Sequence, residues 1–392
     1  MEMLMSQLTL NQPQIQAALN EFINQPSGMN RLFEMVLNTL MKSERSLFLE
    51  DAQQQANKAN GYRPINGIGF GERLALNIPR DRLGLFKPIL LSIMREQSEQ
   101  LNELCFELYA KGLTTRDIEE ITTNIYGNKI SRSEVSRITA SFADEMKAFR
   151  ERTLDNNYPI IMMDATYIKT RRDSSVSSEA YYIVLGVRQD TTREILGIYN
   201  APTESAGEWD EILEDIKKRG VKSCNLFVTD ALTGLSEAIE KHFSCSIQKC
   251  VLHFKRNILR KTKKSHRTKM IEDLAKLFAM DDKEDTAEKA QARLKTFVEH
   301  WGVHYDNVKR LDWSIMHYYF SYTKFNPLIW RMIYTTNWIE RFNKEVKRVT
   351  KIRNSMPSVG SVLTLITKTS LEMNLNKYRY PISGLKSDLM FQ

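Results

Sequence analysis

The sequence predicts a multidomain α/β protein, in which a helical N-terminal region precedes a mixed-sheet domain interrupted by an all-helical insertion. Apolar residues recur at helical spacing in residues 29–58 and 89–149, strand patterns occupy residues 158–230, and helical spacing returns from 258 to 330. We therefore expect six segments: a helical arm (1–59), a small β-element (60–88), a helix-turn-helix domain (89–150), the first part of the mixed-sheet domain (151–257), the helical insertion (258–330), and the second part of the mixed-sheet domain with C-terminal helices (331–392).

Composition predicts a soluble protein with a polyanionic partner. The 392 residues suffice for several hydrophobic cores, and the net charge of +8 favours nucleic acid as that partner. The four cysteines are scattered at irregular spacing, which favours a reducing compartment over a disulfide framework. The start of the chain lacks a signal-peptide pattern, and no apolar run approaches the roughly 20 residues of a membrane span. We expect a cytoplasmic location and no membrane partner.

Two short helices are predicted at residues 114–125 and 131–138, in a pattern typical of a helix-turn-helix. Thr114 and Ser131 are the predicted N-caps, and Ile125 is expected to pack between the helices. Short polar and arginine side chains at the start of the second helix could face a major groove. The candidates for DNA contact are Arg116, Arg132, Ser133, Ser136 and Arg137 on these helices, and Arg63, Arg80 and Arg82 in the β-element. An ordinary helical hairpin with a solvated face remains the alternative.

The region from 158 to 242 shows the element order βββαβα. Strands are predicted at 158–164, 180–187, 194–199 and 225–230, and helices at 208–219 and 235–242. This is the order of the ribonuclease-H-like fold, in which the first and fourth strands are neighbours in the sheet. Asp164 and Asp230 each follow an apolar run, so both should lie side by side where a strand emerges from the core. Either residue taken alone is better explained as a turn or cap residue.

A third carboxylate, Glu340, lies on a predicted amphipathic helix that begins near Asn337. Two strand carboxylates and one helix carboxylate can hold two divalent ions about 3.5–4 Å apart, which activate a water or 3′-hydroxyl and stabilise the leaving oxygen of a phosphodiester. Oxygen ligands favour Mg²⁺ or Mn²⁺. The alternative is a capping box between Asn337 and Glu340. Lys344 and Lys347 follow on the same helix as a basic stripe that could hold phosphates or face solvent.

A dense positive run, free of acidic residues, spans the start of the insertion. It suits contact with a phosphate backbone, and a solvated helix end is the alternative. Its candidates for DNA contact are Lys255, Arg256, Arg260, Lys261, Lys263 and Lys264. Trp338, close to Glu340 in the chain, is a candidate for stacking on an unpaired base.

Cys250 and His253 form a Cys-x-x-His pair, which raises the question of zinc. A structural zinc site needs four ligands, and the remaining cysteines and histidines supply no second pair at suitable spacing. We therefore do not expect zinc here. It remains open that Cys250 simply lies in the core and that His253 forms a hydrogen bond with a neighbouring residue.

Taken in order, these motifs resemble the Mutator-like bacterial insertion-sequence transposases over most of the chain. The segments that carry the resemblance are 164–169, 228–239, 248–257 and 335–341, with 60–63, 78–86, 111–117 and 135–137 in the N-terminal half. The resemblance implies a ribonuclease-H-like catalytic domain in which Asp164, Asp230 and Glu340 hold two Mg²⁺ or Mn²⁺ ions, with Cys250, His253, Arg256 and Lys347 beside them. It also implies the helical insertion, and the 110 positions between Asp230 and Glu340 agree with one.

The same resemblance implies a partner and a reaction. The partner is double-stranded DNA, as the terminal inverted repeats of a mobile element and as target DNA, and no small-molecule substrate is expected. The reaction is end cleavage followed by strand transfer, performed by a homodimer associated with the bacterial nucleoid, through a circular DNA intermediate. A catalytically silent DNA-binding protein and a ribonuclease-H-like nuclease without joining activity are the competing interpretations.

Overall fold

The computed structural model describes residues 28–50, 57–69, 72–126, 130–173, 175–202 and 205–386. The chain divides into two compact units, residues 1–141 and 142–392. None of the helices in these described ranges has the length and apolar character that a membrane crossing requires.

The first unit begins with helix α1 (Gly28–Glu50), which packs on a hairpin of strands β1 (Ala59–Gly69) and β2 (Glu72–Asp81). The core between them contains Leu37 and Met41 of α1 and Leu74 and Leu76 of β2. The predicted continuation of helix to residue 58 is wrong at its end, because residues 57 and 58 are not helical. There the Asn57 amide donates to Asp81, which ties this segment to the end of β2 instead.

Three further helices complete the first unit: α2 (Ile89–Ala110), α3 (Thr115–Tyr126) and α4 (Arg132–Ser141). The two predicted caps are present, since the backbone N–H groups of Asp117 and Glu134 donate to the hydroxyls of Thr114 and Ser131. The predicted packing of Ile125 is wrong, because its side chain is 65% exposed. Helices α3 and α4 contact each other, and Ile118 of α3 and Val135 of α4 are fully buried.

The second unit is built on a five-stranded mixed sheet in the order β5-β4-β3-β6-β7. Its strands are β3 (Ile160–Arg172), β4 (Ser175–Val187), β5 (Arg193–Asn200), β6 (Leu226–Thr229) and β7 (Ser246–Lys249). Strands β3, β4 and β5 are antiparallel, and β6 and β7 run parallel to β3. The four predicted strands are confirmed, and β3 and β6 are neighbours as expected. The sequence did not predict β7.

Asp164 does not lie at the end of its strand, and that part of the prediction is wrong. Strand β3 continues for eight residues beyond it and pairs with β4 along its whole length. In this continuation Thr166, Ile168 and Thr170 are buried while the residues between them are more exposed, which is the alternation of a half-buried strand. The apolar run before Asp164 marks only the part of the strand that is covered on both faces.

Helices cover both faces of the sheet. The longer ones are α5 (Ala143–Glu151), α6 (Ala206–Lys218), α7 (Leu235–His242), α8 (Val251–Lys261), α9 (Arg267–Phe278), α10 (Ala287–Trp301), α11 (Asn337–Lys351) and α12 (Val359–Met373). Short helical turns span Asp306–Lys309, Trp313–Met316 and Trp330–Ile333, with 3₁₀ turns at Lys264–His266, His317–Tyr319, Ser321–Lys324 and Pro327–Ile329 and a π-turn at Asn374–Tyr378.

Alternate residues of β3 belong to two different cores. Ile161 and Met163 join the core under α6 and α7, which is centred on the fully buried Trp209. Ile160 and Met162 join a larger core that extends through α11 and α12 and through the helices between β7 and α11. Residues 251–333 contain helices and turns without a strand, so the helical periodicity predicted there is confirmed. This helical region shares its core with the sheet.

Candidate active site

Asp164 and Asp230 are brought side by side by the register of two parallel strands. The last residue pair between β3 and β6 is Met163 with Thr229, so the next positions along both strands are the two aspartates. Asp164 is 7% exposed, whereas Asp230 lies just beyond the end of β6 and is only partly buried. The two carboxylates therefore meet where β6 ends beside the middle of β3, with Asp164 buried and Asp230 partly exposed.

Glu340 approaches the two aspartates from α11, which packs against β3. The capping-box alternative is wrong, because the N-cap of α11 is Thr336 and the cap has no side-chain hydrogen bond. The Glu340 N–H donates to the Thr336 carbonyl at 2.9 Å, as in a regular helix. The Glu340 side chain instead accepts a hydrogen bond from Arg256, with 3.1 Å between Oε1 and Nη1. Glu340 is thus directed towards α8 and not towards its own helix start.

Helix α8 is fixed between β6 and α11 by its first residues. The Cys250 N–H donates to the Thr229 carbonyl at 2.8 Å, and the Val251 N–H donates to the Tyr334 carbonyl at 3.0 Å. The Cys250 side chain is fully buried and its sulfur accepts a hydrogen bond from the Thr336 hydroxyl at 3.6 Å. Cys250 therefore holds the start of α8 against the start of α11, one turn before His253.

His253 lies between the carboxylates. Its Nδ1 is 3.6 Å from Oδ1 of Asp230, and its Nε2 is 3.8 Å from Oε1 of Glu340. Both separations exceed a hydrogen bond, so the ring faces the two acids without being tied to either. The Cys250 sulfur, together with the carboxylates of Asp230 and Asp164, raises the pKa of His253 to about 9. A charged imidazole here balances part of the acidic cluster.

Burial is the main cause that raises the pKa of Asp164 to about 7, a value that also includes the lowering effect of His253 and the raising effects of Asp230 and Glu340. A carboxylate in this position is costly to ionise unless a cation accompanies it. Ligand atoms of Asp164, Asp230 and His253 all lie within 4.8 Å of one another, and no other such group of three occurs among the residues that the structure describes. The carboxylates of Asp164 and Asp230, with Glu340 beside them, offer the negative charge and the oxygen ligands that a divalent cation such as Mg²⁺ takes, and the charged His253 ring lies beside them as a neighbour.

A family model described as "Transposase, Mutator family" matches residues 3–378 of the chain. The chain belongs to this family of transposases. It is 29% identical to the transposase for insertion sequence element IS905 of Lactococcus lactis, over 88% of this chain and 90% of the relative. It is 28% identical to the transposase for IS256 in transposon Tn4001 of Staphylococcus aureus, over 93% and 95%. A probable insertion-sequence transposase of Corynebacterium diphtheriae is 30% identical over 73% and 83%.

Most DNA-contact candidates in this transposase's second unit are on the surface. Exposed positions include Arg256, Arg260, Lys261, Lys263, Lys264, Lys344 and Lys347. Lys255 differs, because burial lowers the pKa of its amine and Nζ lies 5.1 Å from the centre of the Phe278 ring. Trp338 is 4% exposed and belongs to the core, so its ring offers no open face to a base.

The candidates in the first unit are all exposed: Arg63, Arg80, Arg82, Arg116, Arg132, Ser133, Ser136 and Arg137. Two of the arginines have acidic neighbours. The Arg132 Nε donates to Glu119 at 2.8 Å, which links α4 to α3, and Arg137 lies 3.4 Å from Glu134 on its own helix. These ion pairs on the surface are weak and leave the guanidinium groups accessible to a phosphate.

The sequence did not single out Asn343, which lies one turn after Glu340 on α11. Its side chain is buried and donates to the carboxylate of Asp164. The amphipathic pattern of the helix could have identified it, because Asn343 falls on the buried face with Ile339, Phe342 and Val346. A polar residue on an apolar face usually has a specific partner.

Proposed function

We propose that this transposase binds the terminal inverted repeats of its own mobile element, cleaves the DNA at the element ends and joins the freed 3′ ends to target DNA. The observation that carries the proposal is the convergence of Asp164, Asp230 and Glu340 around His253, from two adjacent strands and one helix. Three carboxylates gathered at the end of β6 match the needs of phosphodiester chemistry with two divalent ions.

Asp164 and Asp230 would hold the ions, and Glu340 would complete the set of ligands. Bound Mg²⁺ or Mn²⁺ ions supply charge stabilisation at phosphorus and lower the pKa of an attacking water or 3′-hydroxyl. The protein contributes fixed positions for the carboxylates, held by β3, β6 and α11. Arg256, hydrogen-bonded to Glu340 and 55% exposed in its side chain, is placed to contact a phosphate next to the ions.

DNA would be held by both units. In the first unit, the exposed side chains at the start of α4 and the arginines of the β-element would bind the terminal repeats. In the second unit, the basic run along α8 and the residues that follow it would track the phosphate backbone towards the site. A homodimer that pairs the two element ends and a circular DNA intermediate are parts of the same proposal.

The test is nicking of a labelled duplex that carries the end of the element, in the presence of Mg²⁺. We expect a nick at the element end that disappears with EDTA and falls by about 10³-fold or more in Asp230→Ala, because several kcal/mol of charge stabilisation are lost. Binding of the duplex, measured by gel shift, should survive in this variant. Asp281→Ala, which removes an exposed acid in the helical region, is the matched control.

Undiminished nicking by Asp230→Ala would refute the assignment. A silent DNA-binding protein predicts gel shift without any nick in the parent protein. A nuclease predicts the nick without a joined product, so incubation of the pre-nicked end with plasmid DNA separates nuclease from transposase activity. We expect the joined product.

A further inference from the structure

Asn343 stands out as a buried amide on an otherwise apolar helix face. It is 6% exposed and lies on the same side of α11 as Glu340, one turn further along. Asparagine is a weak helix former and costs free energy when buried without a partner. Its presence here therefore points to a specific hydrogen bond.

The amide nitrogen has two acceptors, and both belong to the same stretch of β3. Nδ2 lies 3.2 Å from Oδ2 of Asp164 and 3.4 Å from the carbonyl oxygen of Ala165. Because a carbonyl can only accept, the nitrogen and not the oxygen of the amide must face the strand. One side chain of α11 thus contacts both the carboxylate of Asp164 and the backbone that follows it.

These contacts define the position of the helix on the strand in a way that packing does not. The neighbouring anchors Ile339, Phe342 and Val346 are fully buried, but apolar contacts have no direction and permit small rotations and shifts of a helix. A hydrogen bond at this site fixes the rotation of α11 above β3. It thereby fixes how far Glu340 lies from Asp164.

We propose that Asn343 is a positioning residue, which holds the Asp164 carboxylate in one orientation and sets the register of α11 on β3, so that Asp164, Asp230 and Glu340 together form the site for the divalent ions. This inference rests on the proposed function, in which those three carboxylates hold the ions. Partners that orient metal ligands change metal affinity by about 10- to 100-fold when they are removed.

The test is the binding of Mn²⁺ to the full-length protein without DNA, measured by titration calorimetry. Asn343→Leu keeps the branched shape of the side chain and removes the donor, and Asn343→Ala removes the donor without any risk of a clash. We expect both variants to bind Mn²⁺ about 10- to 100-fold more weakly than the parent protein. The Mg²⁺ concentration for half-maximal nicking should rise by a similar factor, while saturating Mg²⁺ should restore much of the maximal rate.

Val349→Ala is the matched control, because Val349 is buried on the same helix two turns further on, among apolar residues. It should lower the melting temperature without changing Mn²⁺ affinity. Parent-like Mn²⁺ binding by both Asn343 variants would overturn the inference. The outcome of Asp230→Ala separates this failure from failure of the proposed function: if that variant also binds Mn²⁺ and nicks DNA like the parent protein, the carboxylate assignment itself is wrong.

Discussion

Asp164→Asn is expected to abolish DNA nicking and at the same time to raise the melting temperature of the metal-free protein. The loss of nicking should reach about 10³-fold or more, for the same reason as at Asp230. The gain in stability follows mainly from burial, since the pKa of Asp164 is raised to about 7 from its ordinary value of 3.8. Ionising this carboxylate in the folded state therefore opposes folding, and a neutral amide of the same shape avoids that cost.

The stability gain of Asp164→Asn should depend on pH. An acid whose pKa is higher in the folded state binds protons more strongly there, so it lowers stability as the pH rises from its unfolded pKa to its folded pKa. A shift of about three pKa units sets a ceiling of about 4 kcal/mol. We expect about 1–3 kcal/mol for Asp164→Asn at pH 8 in EDTA, and a smaller gain at pH 5.

Thermal unfolding in EDTA at these two pH values measures the effect, and excess Mg²⁺ should reduce it by stabilising only the parent protein. Asp281→Asn serves as the control, because that side chain is 90% exposed and should leave the melting temperature unchanged at both pH values. A destabilised Asp164→Asn variant in EDTA would show that the buried carboxylate is already compensated by groups of the protein.

The strands that the sequence predicted are those with continuous apolar runs, and the one it missed is short and carries a buried polar residue. Strand β7 has four residues, and Gln248 in its centre is fully buried. Its amide donates to the carbonyl of Tyr319 at 3.0 Å, and its oxygen accepts from the N–H of Tyr322 at 2.8 Å. Hydrogen-bond partners more than seventy residues away explain why a glutamine is stable in this strand, and no local sequence pattern indicates these partners.

The sequence predicted which acidic residues form the cluster, but not how their side chains are arranged. The apolar runs before Asp164 and Asp230 predict that the two residues lie side by side, whereas the local sequence at Glu340 suits a capping box equally well. The capping box is excluded because the N-cap of α11 is Thr336, without a side-chain hydrogen bond, and Glu340 instead accepts a hydrogen bond from Arg256, 84 residues earlier in the chain. The position of His253 between the acids depends likewise on backbone hydrogen bonds from the start of α8 to β6 and to the segment before α11. Such contacts are set by the tertiary fold.

Asp285→Ala is expected to cause the largest loss of stability in the helical region between β7 and α11. The Asp285 side chain is completely buried and accepts two hydrogen bonds from Arg293, at 2.8 and 2.6 Å. Arg293 also donates to the carbonyl of Leu277 at the end of α9, at 3.0 Å. Removing the acid leaves a guanidinium that is only 25% exposed without its counter-charge, which typically costs about 3–5 kcal/mol.

The melting temperature of Asp285→Ala should therefore fall by on the order of 10 °C, given the usual scaling for a unit of this size. Because the cost arises from the uncompensated charge, the double variant Asp285→Ala/Arg293→Met should recover at least half of the loss. Asp281→Ala removes an aspartate from an exposed pair with Arg331 in the same region and should have no measurable effect. A double variant no more stable than Asp285→Ala would assign the loss to the hydrogen bonds that link α9 and α10, and not to the buried charge.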